Sequence, residues 1–430
     1  MKHTRTWAAV AVCATLALAG CRSGGESTPD GDEAAIDAPG VTSEPCPDAV
    51  NEGNGCIYLG QISDLTDGPF APLAVPVTDA HKAFWQRVNE QGGIGGYDID
   101  ASEFVRDNHY NPETHAQVYE EIKGDVLALA QSLGSATTLA VLEDMKANNI
   151  IATPASWTSL WEFEDVILES GPNYCFEGMN IVDHALSEGP VQSVMAVHFP
   201  GDFGGDSAAG VAIGADANDL EFEDVETGPG AEEQSGAISA IIKQNPDLVV
   251  LATGPAETAA IVGGAAAQGY SGRFIGSGPT WNVALLQTPA APALKSLYTL
   301  GGLALPWNSD SPGFDAMRET LGEVTPNEGY TYGWIWAYPL KAALEEWLGG
   351  DYSRDRAGLV EAVRTLENVD YEGMLPEEAG NFGEASTAAF RATVFSKVDE
   401  KAPTGISATG DFEVGPTAEA YDFSGPCFQG

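Results

Sequence analysis

Two short segments rich in hydroxyl-bearing and small residues carry the side chains best suited to hold a ligand. Ser135 lies in residues 131–138, which read QSLGSATT, and Ser156 lies in residues 153–157, which read TPASW. Each segment follows a continuous apolar run and leads toward a helix, so its hydroxyls and free backbone N–H groups could bind a carboxylate or another polar head. The same serines could instead cap those helices, and the pattern leaves both roles open.

The patterns that would indicate an enzyme or a metal centre are missing or unusable. His109 and His115 flank Asn111 and Pro112, and the proline interrupts any helix that would align the two imidazoles. The sequence contains no G-x-S-x-G nucleophile turn and no phosphate-binding P-loop. We therefore expect neither an enzymatic activity nor a metal or other cofactor.

The apolar pattern alternates short strands with helices along most of the chain. Apolar runs predict strands at residues 57–62, 103–105, 126–130, 150–152, 193–199, 220–225, 248–251 and 274–275. Helical spacing predicts helices at residues 77–91, 112–122, 136–148, 207–213, 232–243 and 256–268. This alternation indicates parallel sheets with right-handed crossovers. We predict an α/β fold of two doubly wound lobes, with the ligand site beyond the carboxyl ends of the strands.

The first 21 residues indicate export. Lys2 and Arg5 precede an apolar run at residues 8–18, which is too short to span a bilayer comfortably. Residues 18–21 read LAGC and resemble a bacterial lipobox, in which the signal peptide is removed before a cysteine that is then acylated. We predict a signal peptide over residues 1–20 and a lipid anchor on Cys21 as the only membrane contact. Residues 21–45 are predicted to form a flexible acidic tether.

The charge balance excludes several classes of partner. The chain has 63 acidic and 19 basic residues and a net charge of −44. Removal of residues 1–20 takes away two basic residues and no acidic ones, which gives −46. Such a field repels nucleic acid and anionic headgroups, so neither is expected as a partner.

Four cysteines remain once the signal peptide is removed and Cys21 is lipidated. They are Cys46, Cys56, Cys175 and Cys427, and none of their spacings is typical of a zinc site. An even number of cysteines in an oxidising compartment indicates disulfides, with three possible connectivities. We expect Cys46–Cys56, which closes a short loop, and Cys175–Cys427, which ties the C-terminal tail to the crossover between the lobes.

Several stretches, taken in order, resemble the leucine/isoleucine/valine-binding family, the type I periplasmic solute-binding proteins that serve ABC importers. The most specific is residues 88–96, which read VNEQGGIGG. The others are residues 57–60, 67–71, 134–135, 153–156, 332–334, 343–345 and 369–373, together with Asp107, Pro112 and Glu113. The resemblance implies two lobes joined by a multi-strand hinge. Residues 46–175 with 303–365 would form the first lobe, and residues 176–302 with 366–430 the second.

The resemblance also implies a ligand site between the lobes. It draws on two loops of the first lobe, on one aromatic residue and one loop of the second, and on a tyrosine at the hinge. The residues that it assigns are Ser135, Ala155, Ser156, Trp157, Phe203, Thr253, Gly254, and Tyr330 or Tyr332.

One departure from the family concerns the ligand's charge. Branched-chain amino-acid binders carry an acidic residue that pairs with the ligand ammonium, but the corresponding loop, residues 276–281 (GSGPTW), contains none. An unpaired buried ammonium would cost several kcal/mol. Either Glu257 or Asp206 takes that role, or the ligand is not an ordinary α-amino acid. Aromatic residues near the mouth, Trp281 among them, favour an aromatic or amide-bearing solute.

The N-terminal signal and the resemblance together imply an extracytoplasmic, monomeric lipoprotein. It would capture a small polar or amphipathic solute, such as an amino acid, an amide or an aromatic compound, and deliver it to an ABC permease in the membrane. The alternative is a ligand-sensing receptor module of the same fold that signals to a membrane partner.

Overall fold

The computed structural model describes residue 36 and residues 38–428, without the side chains of residues 202 and 386. The predicted signal peptide, the predicted lipidation site Cys21 and residues 22–35 and 37 of the predicted tether lie outside the described residues. The strands are Val41–Thr42 (β1), Gly55–Ser63 (β2), Tyr97–Asp107 (β3), Ala128–Ser132 (β4), Ser193–His198 (β5), Glu221–Glu226 (β6), Leu248–Ala252 (β7), Arg273–Gly276 (β8), Tyr298–Gly302 (β9), Val394–Val398 (β10) and Ile406–Ala408 (β11).

Helices precede or follow most of these strands. They are Ala71–Glu90 (α1), Pro112–Ile122 (α2), Ser135–Asn148 (α3), Tyr174–Glu188 (α4), Asp202–Ala217 (α5), Ser235–Gln244 (α6), Pro255–Ala267 (α7), Ala291–Leu297 (α8), Pro312–Leu321 (α9), Glu328–Gly349 (α10), Arg356–Val363 (α11), Ala385–Ala388 (α12) and Pro416–Ala420 (α13). Within the described range, none of the helices is long and apolar enough to cross a membrane.

The first sheet is built around β2. It pairs in parallel with β3 on one side and with β4 on the other, which places Leu59 opposite Ala128. The predicted strand at residues 150–152 is reduced to isolated bridges, in which Ala152 pairs with Leu129 and with Ile167. The loops that follow β4 and Ala152 therefore leave the sheet side by side, as the sequence predicted.

The N-terminal edge of this sheet starts earlier than expected. β1 pairs antiparallel with the start of β2, with Val41 opposite Ile57 and Thr42 opposite Cys56. The Cys46–Cys56 disulfide closes the loop between them. Residues 41–42, which we had assigned to the tether, thus belong to the folded first lobe, because strand pairing depends on a partner that local composition does not reveal.

The second sheet has the order β11-β10-β9-β8-β7-β5-β6. Pairing is parallel from β9 to β6, as predicted, whereas β10 and β11 add an antiparallel edge that was not. Alternate residues of β5 enter different cores: Val194 packs in one cluster and Met195 in another. Apolar residues on both faces require a helical layer on each side, which is the doubly wound arrangement.

The chain crosses between the lobes three times: before α4, after β9 and before β10. The third crossing lies later than the boundary that we expected at residue 366. Val369, Tyr371 and Met374 are buried in the core of the first lobe, so residues 366–382 pack there. The C-terminal tail belongs to the second lobe, where the expected Cys175–Cys427 disulfide joins it to α4.

Candidate functional site

A cavity lies between the lobes, where the loop after β4 and the loop after Ala152 face the start of α5. Its volume is about 50 Å³, which is room for only a few water molecules. Seven of its sixteen lining residues are aromatic, and none is Asp, Glu, Lys, Arg or His. The lining residues are Phe70, Leu73, Ala74, Val77, Tyr110, Leu133, Gly134, Ser135, Ala155, Ser156, Trp157, Tyr174, Phe203, Pro279, Tyr332 and Trp336.

Ser135 is the first residue of α3 and lies in the cavity wall. The N-cap is Gly134, at φ 98°, and no side chain caps the helix. The first intrahelical bond runs from Thr138 N–H to Gly134 carbonyl, so the preceding N–H groups of the helix have no acceptor in the described chain. The Ser135 hydroxyl is buried and also has no hydrogen-bond partner there. Ser135 is therefore not a helix cap, and it leaves several hydrogen-bond donors free.

The second wall follows Ala152. Ala155 has a left-handed backbone conformation, with φ 41°, which is uncommon for a residue other than glycine and turns the chain sharply. The Ser156 hydroxyl accepts a hydrogen bond from Trp161 Nε1 at 3.0 Å, so this serine does not cap a helix either. Trp157 Nε1 donates to the Ser170 carbonyl at 2.8 Å. The bond holds the indole ring in place against the cavity.

The hinge side of the cavity is a wall of aromatic rings in edge-to-face and tilted contact. Trp157 lies 4.3 Å from Trp336 and 5.1 Å from Tyr332, measured between ring centroids. Tyr332 and Trp336 are one helical turn apart on α10, so both rings lie on the same face. α10 lies so close to α1 at Gly333 that a Cβ atom there would be 2.4 Å from the Val77 carbonyl oxygen. Burial raises the pKa of Tyr332 well above its usual range, so its hydroxyl remains protonated.

Phe203 closes the cavity from the second lobe. It lies near the start of α5, 4.7 Å from the Tyr174 ring and 6.0 Å from the Phe70 ring. Phe70 belongs to the first lobe, so this contact joins the lobes across the cleft. A solute can enter the cavity only when these rings separate, which requires the lobes to move apart before they close on it.

Three of the predicted ligand residues lie away from the cavity. The Thr253 hydroxyl is 3.0 Å from the hydroxyl of Thr258, a residue in the first turn of α7. Gly254 is the N-cap of that helix. Tyr330 packs on Trp307, with 5.7 Å between ring centroids, because two residues along a helix point in nearly opposite directions.

The cavity also contains residues that the sequence analysis did not single out. Phe70, Tyr110, Tyr174 and Trp336 line it, together with five aliphatic or proline side chains. Trp336 had a usable signal, since it follows Tyr332 by four residues on one helix. Trp281, expected near the mouth, is instead buried in the second lobe, where its Nε1 donates to the Thr404 carbonyl at 2.9 Å.

The carboxyl groups considered as ammonium partners do not reach the cavity wall. Asp206 accepts hydrogen bonds from the backbone and side chain of Ser159. Glu257 accepts from the Gly230 N–H at 2.7 Å through Oε1, whereas its Oε2 is buried without a hydrogen-bond partner among the described residues. Glu177, which the sequence analysis did not consider, lies under the loop after β8. Burial raises the pKa of its carboxyl to about 8, against the lowering effect of hydrogen bonds from Ser277 and the Gly278 N–H. At neutral pH Glu177 is therefore mostly uncharged.

The histidines considered for metal binding lie in separate surroundings. His109 is exposed and its Nδ1 is 2.7 Å from Asp67, whereas His115 is buried against Asn108 and Ser132. No group of three or more His, Cys, Asp or Glu side chains within residues 38–428 is arranged to hold a metal ion.

Comparisons with known proteins agree with this architecture. Residues 57–404 match the family model described as periplasmic binding protein. A fatty acid ABC transporter substrate-binding protein from Thermomonospora curvata is 27% identical, with a TM-score of 0.81 over 90% of this chain and 97% of that chain. A branched-chain amino acid ABC transporter protein from Thermus thermophilus, with bound valine, is 15% identical, with a TM-score of 0.73 over 85% of this chain and 98% of that chain. A search of curated protein sequences finds no match.

The family match covers both lobes and most of the chain. The structural matches extend over almost the full length of each similar protein, so the two-lobed architecture is shared as a whole. The chain therefore belongs to the periplasmic binding protein family, as an extracytoplasmic solute-binding protein of the ABC transporter type.

Proposed function

We propose that the protein captures a small polar or amphipathic solute between its lobes and delivers it to an ABC permease for import. The observation that carries this proposal is the cavity itself, which combines free hydrogen-bond donors of the first lobe with an aromatic side chain of the second. A solute held by both lobes stabilises the closed form, so binding shifts the population toward it.

The contacts between the lobes suit such a hinge. Ser159 of the first lobe donates from its backbone N–H to Asp206 of α5 at 2.8 Å. Asn282 of the second lobe donates from its side chain to the Pro72 carbonyl at 3.4 Å. The lobes also meet through apolar side chains, since Phe199, Phe203 and Ala252 of the second lobe pack against the core of the first, while two further clusters belong to the second lobe alone. A rigid-body rotation would break the bonds and separate these three residues from the first lobe, and it would leave most of each core intact.

The N-terminal sequence supports a membrane-tethered carrier. A lipid on Cys21 would hold the lobes near the permease, and the acidic segment that follows would allow them to move. β1 begins twenty residues after Cys21, and a flexible segment of that length would have a root-mean-square span of roughly 25 Å.

Two measurements test the import function. The solute that co-purifies with the protein is released by mild denaturation and identified by mass spectrometry, and its uptake is then measured in cells that lack or express the protein. We expect uptake to depend on the protein and to fall with Phe203→Ala but not with Phe222→Ala, a matched exposed phenylalanine in β6. Uptake that is the same with and without the protein would exclude an import role.

A further inference from the structure

Several hydrogen-bond donors around the cavity have no partner among the described residues. The first N–H groups of α3 have no acceptor, and the Ser135 hydroxyl beside them is unpaired and 1% exposed. The backbone N–H groups of Ala155, Ser156 and Trp157 make no hydrogen bond within the described residues. Unpaired donors that line one cavity favour a ligand with a hydrogen-bond acceptor. Because a helix N-terminus carries a partial positive charge, it favours a negatively charged acceptor.

The cavity wall contains no acidic side chain that could pair with a cation. None of its residues is acidic, and the nearby Glu177 is occupied by Ser277 and the Gly278 N–H. A positively charged group placed there would lose its hydration without gaining a carboxylate partner. The wall also lacks Lys, Arg and His, so a doubly charged phosphate would have no counter-ion.

The rest of the cavity is apolar. Phe70, Tyr174, Phe203 and Trp336 surround it with ring faces and edges, and Leu73 and Val77 line the α1 side. Such a surface stabilises a hydrocarbon or aromatic body by removing it from water.

We propose that the solute is an apolar monocarboxylate without an ammonium group. Its carboxylate binds the start of α3 and the Ser135 hydroxyl, and its body lies among the aromatic rings. This inference rests on the proposed function, since it names the solute class of the same cleft. It separates the protein from amino-acid carriers, which require an acidic partner for the ligand's ammonium.

Two pairs of compounds test the assignment by titration calorimetry on protein freed of endogenous solute. 3-Phenylpropanoate differs from L-phenylalanine by the α-ammonium group alone, and octanoate differs in the same way from 2-aminooctanoate. We expect at least one of the two acids to bind, and at least 100-fold more tightly than its ammonium-bearing partner. The matching alcohol, 3-phenylpropan-1-ol or octan-1-ol, should bind at least 10-fold more weakly than the acid that binds.

Ser135→Ala locates the carboxylate. We expect it to weaken binding of the acid about 10- to 100-fold, to affect the alcohol much less and to leave the thermal midpoint of the free protein unchanged. Ser102→Ala, an exposed serine of β3, is the matched control. If Ser135→Ala lowers the midpoint, crystals of the wild-type complex locate the carboxylate instead.

The outcomes separate this inference from the proposed function. Equal or tighter binding of an ammonium-bearing partner, or no binding of either acid, overturns the monocarboxylate assignment. The carrier function survives that result if the co-purifying solute binds in a manner that depends on Phe203. A solute whose affinity is unchanged by both Ser135→Ala and Phe203→Ala overturns the cleft as the binding site, and the carrier proposal with it.

Discussion

Ser159 forms hydrogen bonds that join the two lobes, and its replacement by alanine should weaken ligand binding. It lies between Trp157 and Trp161, which are both buried in the core of the first lobe. Its backbone and hydroxyl donate to the two carboxylate oxygens of Asp206 in α5. The same hydroxyl accepts the Cys427 N–H at 2.9 Å. Ser159→Ala therefore removes one charge-assisted bond and the acceptor for a tail N–H, while the backbone bond to Asp206 remains.

The magnitude follows from the kind of bond that is lost. A hydrogen bond to a buried charged group contributes about 1.5–3 kcal/mol. Both partners of Ser159 belong to the second lobe, so the bonds exist only while the lobes are together. Their loss should therefore appear in the closed form alone. We expect the dissociation constant of the ligand to rise by about 10- to 150-fold, with little change in the unfolding free energy of the open, ligand-free protein.

Calorimetry with the co-purifying solute measures the affinity, and small-angle scattering measures the fraction of closed protein at saturating ligand. Ser102→Ala again serves as the control. Wild-type affinity in Ser159→Ala would refute the reasoning. A loss of stability in the ligand-free protein equal to the loss of binding energy would also contradict it, because the bonds would then persist in both forms.

Three further predictions concern parts of the chain outside the cleft. Cys21→Ser should release the protein from the membrane fraction, and a wild-type N-terminus without acyl chains by mass spectrometry would contradict the anchor. Reduction of Cys175–Cys427, or its replacement by two serines, should destabilise the protein by up to about 5 kcal/mol, as measured in urea, because the bond closes a very long loop; non-reducing peptide mapping that finds free thiols would rule it out. Glu177 has a folded-state pKa of about 8, above its unfolded value of about 4.3. Because the folded state binds this proton more tightly, the contribution of Glu177 to the unfolding free energy falls as the pH rises between those two values. Glu177→Gln should therefore remove part of the loss of thermal stability over that range, and identical pH profiles for the variant and the wild type would contradict this assignment.

Much of the architecture follows from local patterns. The helix at Pro112–Ile122 begins and ends where the sequence predicts, because Asn111 accepts the Thr114 N–H as an N-cap and a proline occupies the first turn. The continuous apolar run before Ser132 forms a buried parallel strand, as expected of a chain covered on both faces. These signals act between residues a few positions apart, so they can be evaluated without knowing the fold.

The boundaries of the lobes depended on distant partners. β1 forms because residues 41–42 meet the start of β2, and the antiparallel edge of the second sheet forms because β10 returns beside β9. Val369 and Tyr371 are buried in the first lobe. Their apolar character predicts that they are buried, but it does not predict which of the two lobes they pack against.

The sequence by itself determined the α/β class, the two loops that carry candidate hydrogen-bond donors, after β4 and after Ala152, and the residue types at that end of the site. Only the tertiary structure decided which aromatic side chains meet those donors. Phe70, Phe203 and Trp336 come from segments more than a hundred residues apart, and the crossovers between the lobes bring them into one cavity. Tertiary packing likewise directed Tyr332 into the cleft and Tyr330 onto Trp307. Periodicity records how a residue relates to its own helix or strand, whereas a ligand site is set by how separate helices and strands converge.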